Sequence, residues 1–149
     1  MRNQGINDDF RCSHCHQIVS ANPMVSGVQH RNHCPYCLWS RHLDLYRAGD
    51  RMSACKAQMR PVGLTLKRTY KRYGSTWAGE LMLVHECIEC GKVSINRIAA
   101  DDFAESLFEI FTSSRRPDLF TKAQFEKGEI RTLQPVEREM VSVRLFGSN

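Results

Sequence analysis

No run of about 18 apolar residues occurs in this 149-residue sequence, so no membrane-spanning helix is expected. The segment Met1 to Phe10 is polar and lacks the apolar centre of a secretory leader, so the chain is expected to be cytoplasmic. Apolar residues make up 42% of the sequence, slightly few for a globular protein, and metal staples would help so modest a core. There is no low-complexity tract. No pair of acidic residues stands at a helical or hairpin spacing suited to a divalent ion, which argues against metal-assisted hydrolysis. No strand–helix–strand pattern of the thioredoxin kind surrounds any cysteine.

What the chain does have is thiols in pairs. Six of its seven cysteines form three Cys-x-x-Cys units, and in a reducing compartment such units bind metal or do redox work rather than form structural disulfides. The organising stretch runs from His30 to His42 and contains Cys34-Pro35-Tyr36-Cys37. Proline fixes the backbone entering the turn, and the following N–H groups are left free to face sulfur. A matching pair, Cys12 and Cys15, lies upstream, flanked by short apolar segments that read as strand, turn, strand. Zinc takes four ligands in a tetrahedron, and two facing turns supply them. The expectation is a closed four-thiolate zinc site at Cys12, Cys15, Cys34 and Cys37. The rival is a pair of disulfides or free thiols. His14, His16 or His33 could replace a thiol, but the spacing needs no substitute.

The third unit, Cys87-Ile88-Glu89-Cys90-Gly91, needs two more ligands and no fourth pair exists. Cys55 is the remaining thiol, so the fourth ligand should be a histidine. Two candidates stand. His85 lies two residues before Cys87 on the same strand face; His42 ends the organising stretch, from which the chain could fold back toward Cys55. The bland reading is a free or redox Cys-x-x-Cys with Cys55 merely buried.

Charge is unevenly spread. Residues 1–100 carry 14 Lys and Arg against 7 Asp and Glu, a net +7, and residues 101–149 carry 7 against 9, a net −2. Two occupied zinc sites, contributing −2 and −1, would lower the total from +5 to +2, so polyanion binding would come from a local patch. Lys67, Arg68, Lys71 and Arg72, interleaved with Tyr70 and Tyr73, are the densest cations, and they follow a strand marked by Val62, Leu64 and Leu66. Residues 20–29 read as a loop. Asp102 and Glu105 fit the start of a helix with Phe103, Leu107, Ile110 and Phe111 on one face. A second short helix is expected over Pro117 to Lys127. The alternation of Val141, Val143 and Leu145 suggests a strand over Glu137 to Phe146. Whether this acidic third packs on the metal region or projects from it is open at this stage.

The motif Arg31-Asn32-His33-Cys34-Pro35 resembles the one for which the RNHCP domain family of bacterial proteins is named. The likeness extends to Cys12 and Cys15, Ser40-Arg41-His42-Leu43-Asp44, Gly49-Asp50-Arg51 with Cys55, the Val84-to-Gly91 segment, and Asn96-Arg97-Ile98-Ala99 with Asp101-Asp102. The resemblance implies a zinc-ribbon-like domain over residues 10–102 and implies no settled activity; residues 103–149 lie outside it. The expected fold is therefore small α+β: zinc-ribbon-like hairpins with two zinc knuckle sites, then C-terminal helices and the suggested strand.

Three functions compete. The first is a non-catalytic zinc protein that binds RNA or associates with the ribosome, with Arg31, Arg41, Lys67, Arg68, Lys71 and Arg72 on phosphates and aromatic residues such as Tyr36, Trp39, Tyr70, Tyr73 or Trp77 on unpaired bases. For Tyr36 and Trp39, burial beside the turns is the stronger reading, and Arg31 and Asn32 are expected to brace the Cys34 turn rather than read a base. The second is a zinc-stabilised scaffold that docks a protein partner through its acidic C-terminal extension. The third, least favoured, is a zinc-braced HNH-like nuclease, which would need an open metal position that two fully ligated knuckles do not leave.

Overall fold

A computed structural model describes residues 9–28, 31–43, 52–67, 79–113 and 132–147. Two antiparallel sheets carry the ligands. The first is a miniature: β1 (Phe10–Arg11) pairs with β2 (Ile18–Val19) on either side of the Cys12–Cys15 turn. The second has four strands in the order β3-β4-β5-β6, formed by β3 (Ser40–Arg41), β4 (Gln58–Lys67), β5 (Glu80–Cys87) and β6 (Val93–Arg97). The predicted strand through Val62, Leu64 and Leu66 is β4, and β5 and β6 flank the third Cys-x-x-Cys turn.

Strand β3 meets β4 only at Gln58 and Met59, so the rest of that β4 edge has no strand beside it among the described residues. This is where Pro61 is tolerated, since it cannot donate to a ladder, and the register with β5 shifts between Pro61 and Gly63. Further along, Leu133 N–H donates to Leu64 O at 2.7 Å, so the C-terminal segment takes up part of the edge.

Residues 20–29 are not simply a loop. Pro23–Ser26 forms a short helix, α1, because Asn22 accepts from Met24 N–H, Pro23 pre-sets the first helical φ, and Gly27 closes it at φ 73°. Helix α2 spans Ala104–Ser113 and buries Leu107 and Phe111; Phe103, expected on the same face, stays half exposed. The suggested strand over Glu137 to Phe146 is instead a helical turn at Pro135–Glu137 followed by helix α3, Arg138–Phe146. The alternation misled because Met140, Val141 and Leu145 share a helical face and turn toward the core, while Val143 is left outside. The second helix expected over Pro117 to Lys127 lies outside the described residues.

The main core joins Leu64, Leu81 and Leu83 of the sheet to Leu107 and Phe111 of α2, Leu133, and Met140 and Val141 of α3. Helix α2 and Leu133 therefore pack on the sheet, and α3 packs on α2. Leu38, from the Cys34 turn, enters the same core at 1% exposure. The small sheet has a separate cluster of Cys12, Val19 and Cys34, with Phe10, Cys15 and Cys37 against it.

Candidate metal centres

The three Cys-x-x-Cys units fold into one shape. In each, the residue after the second cysteine returns its N–H to the carbonyl of the first: His16 to Cys12 at 2.9 Å, Leu38 to Cys34 at 2.8 Å, Gly91 to Cys87 at 3.0 Å. The first cysteine's N–H donates one residue further on, to Gln17 O, Trp39 O and Lys92 O at 2.8, 2.9 and 2.8 Å. Closing the turn this way forces a left-handed residue, and the φ values are 68° at His16, 67° at Leu38 and 77° at Gly91. Only Gly91 was foreseeable from residue type. For His16 and Leu38 the conformation costs about 1–2 kcal/mol, which the rest of the turn must offset. In return, N–H groups point at sulfur: His14 N–H reaches Cys12 Sγ at 3.3 Å and Tyr36 N–H reaches Cys34 Sγ at 3.3 Å.

These turns assemble two sets of four ligand atoms, with the atoms of each set lying within 4.8 Å of one another. One set is Cys12, Cys15, Cys34 and Cys37; the other is His42, Cys55, Cys87 and Cys90. All seven cysteines are free thiols. The sulfur pairs Cys12–Cys37, Cys15–Cys34 and Cys55–Cys87 are each 3.6 Å apart, and Cys90 Sγ is 3.4 Å from His42 Nδ1. A tetrahedral ion with Zn–S bonds of about 2.3 Å sets its sulfurs roughly 3.8 Å apart, so both sets fit a metal of that size and geometry.

The electrostatics of the thiols fit a cation as well. Burial opposes ionisation of Cys12, but the N–H groups of Cys15 and His14 and the adjacent thiols outweigh it and hold its pKa below the ordinary value. Burial pushes the Cys34 thiol up to about 11 and Cys37 higher, and neighbouring thiolates add to both shifts. The second set repeats the split: Cys87 falls, against burial, through the N–H groups of Cys90 and Glu89, and Cys90 rises with burial and the charges of Cys87 and Cys55. Thiolates this close ionise together when a divalent cation sits among them.

His42, rather than His85, joins the second set. His42 N–H donates to Ala57 O at 2.8 Å and Lys56 N–H donates to His42 O at 3.1 Å, so the connection between β3 and β4 closes with His42 and Cys55 side by side. His85 fails as a ligand because both ring nitrogens are committed elsewhere. Its Nε2 donates to Leu38 O at 2.6 Å, and its Nδ1 accepts from the Asn96 amide at 2.8 Å. Burial, reinforced by the nearby His33 ring and opposed by the bond to Leu38, takes its pKa down to about 3, so the imidazole is neutral. Strand periodicity alone had left the two histidines level.

The motif residues around Cys34 turn inward. Arg31 is expected on phosphate, yet its side chain is wholly buried. Nε donates to His33 O at 2.9 Å, and the terminal nitrogens reach Ser20 O at 3.3 Å, Asp101 at 2.8 Å and Asp102 at 3.1 Å. Asp102, expected to open α2, instead accepts from Arg31, lies 2.7 Å from His33 Nε2 and accepts from Ala99 N–H at 2.8 Å. Arg31 thus braces the knuckle, as its place beside Cys34 allowed. Asn96, Asp101 and Asp102 belong to the motif segments, but the side chains they bind were not legible from the sequence.

Of the other expected nucleic-acid contacts, Arg41 is half buried and its guanidinium donates to Lys56 O at 3.2 Å; Lys67 is exposed at the end of β4. Arg68, Tyr70, Lys71, Arg72 and Tyr73 lie outside the described residues. Tyr36 is half exposed, edge-on to Phe103 at 6.0 Å. Trp39 is half buried and lies flat against the exposed His14 ring, with centroids 3.9 Å apart and planes 3° from parallel. His14 Nδ1 is 3.4 Å from Gln58 Oε1, and Gln58 Nε2 donates to Ser13 O at 3.0 Å. Nothing in the sequence pointed to Gln58. Among the described residues no helix is long and apolar enough to cross a membrane.

A family model for the RNHCP domain matches residues 7–108. No match was found among curated proteins or among solved structures.

Proposed function

The chain belongs to the RNHCP domain family, and from that membership and the two ligand sets we propose a non-catalytic protein that holds two zinc ions as structural staples and binds RNA, on its own or on the ribosome. The observation that carries the zinc assignment is the pair of four-ligand sets, one of four thiolates and one of three thiolates and an imidazole. Both are donor sets that zinc takes in closed tetrahedral sites, where no position is left for substrate or water. The charge on the protein supports a polyanionic partner: with both sites occupied, which takes 3 from the net +7, residues 1–100 keep a net charge of +4. Binding in the cytoplasm follows from the same reading.

Elemental analysis of purified protein tests the staples: close to two zinc ions per chain are expected, and a value near one overturns the second site. Co-sedimentation with ribosomes and recovery of RNA from cells at moderate salt test the partner. Exchange of Lys67, Arg68, Lys71 and Arg72 together for glutamine should weaken RNA binding and lower its dependence on salt. A protein that migrates alone and retains no RNA overturns this reading and leaves the protein-docking scaffold in its place.

A further inference from the structure

The His14–Trp39 stack is more than a contact between two side chains near a turn. A single-stranded nucleic acid is held by flat rings with an open face, fixed in orientation, next to positive charge. Each requirement is met here by a named group. The rings are parallel and at stacking distance, and His14 is the outer, exposed member. Trp39 backs it from the Cys34 turn, where its carbonyl accepts from Cys34 N–H at 2.9 Å. His14 itself rides on the Cys12 turn and gives its N–H to Cys12 Sγ.

Gln58 fixes the arrangement from a third side. Its side chain faces His14 Nδ1 and binds Ser13 O, while its backbone carbonyl accepts from Ile88 N–H at 3.1 Å in the Cys87 turn. The stack is therefore tied to all three knuckles, and through them to both ligand sets. Directly across from Gln58 in the β3–β4 pairing is Arg41, and residues opposite each other in a ladder share a face of the sheet. The Arg41 guanidinium is held in place by Lys56 O, so a fixed positive charge stands on the face from which Gln58 reaches the stack.

We propose that the open face of His14, backed by Trp39 and positioned by Gln58, is a stacking site for one unpaired nucleobase of a single-stranded nucleic acid, with Arg41 meeting the adjoining phosphate. This rests on the reading of the protein as an RNA binder and adds to it a place and a preference for single strands. It makes no use of the cations at residues 67–72, so the two claims fail separately.

The test is equilibrium binding of a short fluorescent oligoadenylate RNA, and of a duplex RNA of the same length, to zinc-loaded full-length protein. His14→Ala should weaken single-strand binding by at least about fivefold, the low end of what one stacked base contributes. His14→Tyr, which keeps a flat ring, should bind as the wild type does. Duplex binding should be unchanged in both, and both should keep the wild-type metal content. A 2-aminopurine placed in the oligonucleotide should be quenched by wild type and by His14→Tyr, and not by His14→Ala. If His14→Ala matches wild type while the fourfold glutamine variant loses binding, the stacking site is wrong and the RNA reading stands. Weak binding by His14→Tyr equal to that of His14→Ala also overturns the site. If the wild type binds neither RNA, both claims fall.

Discussion

Cys12, Cys15, Cys34 and Cys37 come from two knuckles that face each other, whereas His42, Cys55, Cys87 and Cys90 combine one knuckle with two ligands from the β3–β4 connection. The first set is also nearly the whole interior of its surroundings. Of the six residues in the small cluster around it, four are the ligands themselves, and Val19 and Phe10 are the rest. The second set hangs from the end of β5, a strand whose Leu81 and Leu83 belong to the main core, and its Cys55 and Cys90 are exposed. The same turn thus serves two purposes. In one region a metal would stand in for a hydrophobic core; in the other it would tie His42 and Cys55 to a sheet whose core lies elsewhere.

The sharpest way to break this contrast is to remove one ligand from each side. Structural zinc contributes an apparent ~10–16 kcal/mol of binding free energy that becomes folding free energy where no other core exists. Cys34→Ser should therefore lose one metal and unravel residues 9–28, seen as lost amide protection and early proteolysis there. Cys90→Ser should lose one metal too, with the amides of β4 and β5 still protected. Equal loss of protection in the two variants would erase the distinction.

The buried ion-pair group comes next in size. Asp102 pairs with Arg31 and His33, and breaking such a group by removing one partner costs about 3–5 kcal/mol. Asp102→Asn should lower the denaturant midpoint accordingly, and the loss should appear first around the Cys34 knuckle that Arg31 braces.

The two histidines near the second set sharpen the comparison further. His42→Ala should drop the metal content from two toward one. His85→Ala should keep it at two and destabilise by about 2–4 kcal/mol, through a cavity and the loss of bonds to Leu38 O and Asn96. Metal analysis and urea unfolding read the two effects separately.

The smallest effect concerns the strained turn. His16 is exposed and left-handed, so His16→Gly should relieve strain against a glycine's greater freedom in the unfolded chain, for a net gain of about 0.5 kcal/mol. The same change at Leu38 should destabilise instead, because that side chain is in the main core.

What the sequence made legible was local. The ligand spacing of the first set, the strands beside each turn and the helical face at Leu107 and Phe111 depend on neighbours a few residues away, and pattern alone reaches them. The choice between His42 and His85 does not, because Leu38 and Asn96 decide it from other parts of the fold. Arg31 was expected both to brace the Cys34 turn and to meet phosphate, and its partners stayed hidden for a similar reason: its carboxylates lie 70 and 71 residues further along. In the tail, a period of two and a helical face fit the same apolar residues, and only the position of the core distinguishes them. The absence of glycine at His16 and Leu38 concealed the fact that all three turns share one backbone.

The place of Leu107 and Phe111 in the main core sets an order in time. In the order of synthesis Cys12, Cys15, Cys34 and Cys37 all precede every ligand of the second set, so the first site is complete before the second. The second site waits for Cys90, and the sheet waits for α2 to bring Leu107 and Phe111 to the core, with α3 packing on α2 afterwards. Assembly is thus staged by the order of synthesis, ligand sets first and hydrophobic closure last, and a nascent chain halted before residue 104 holds both ligand sets on a sheet that α2 has yet to cover.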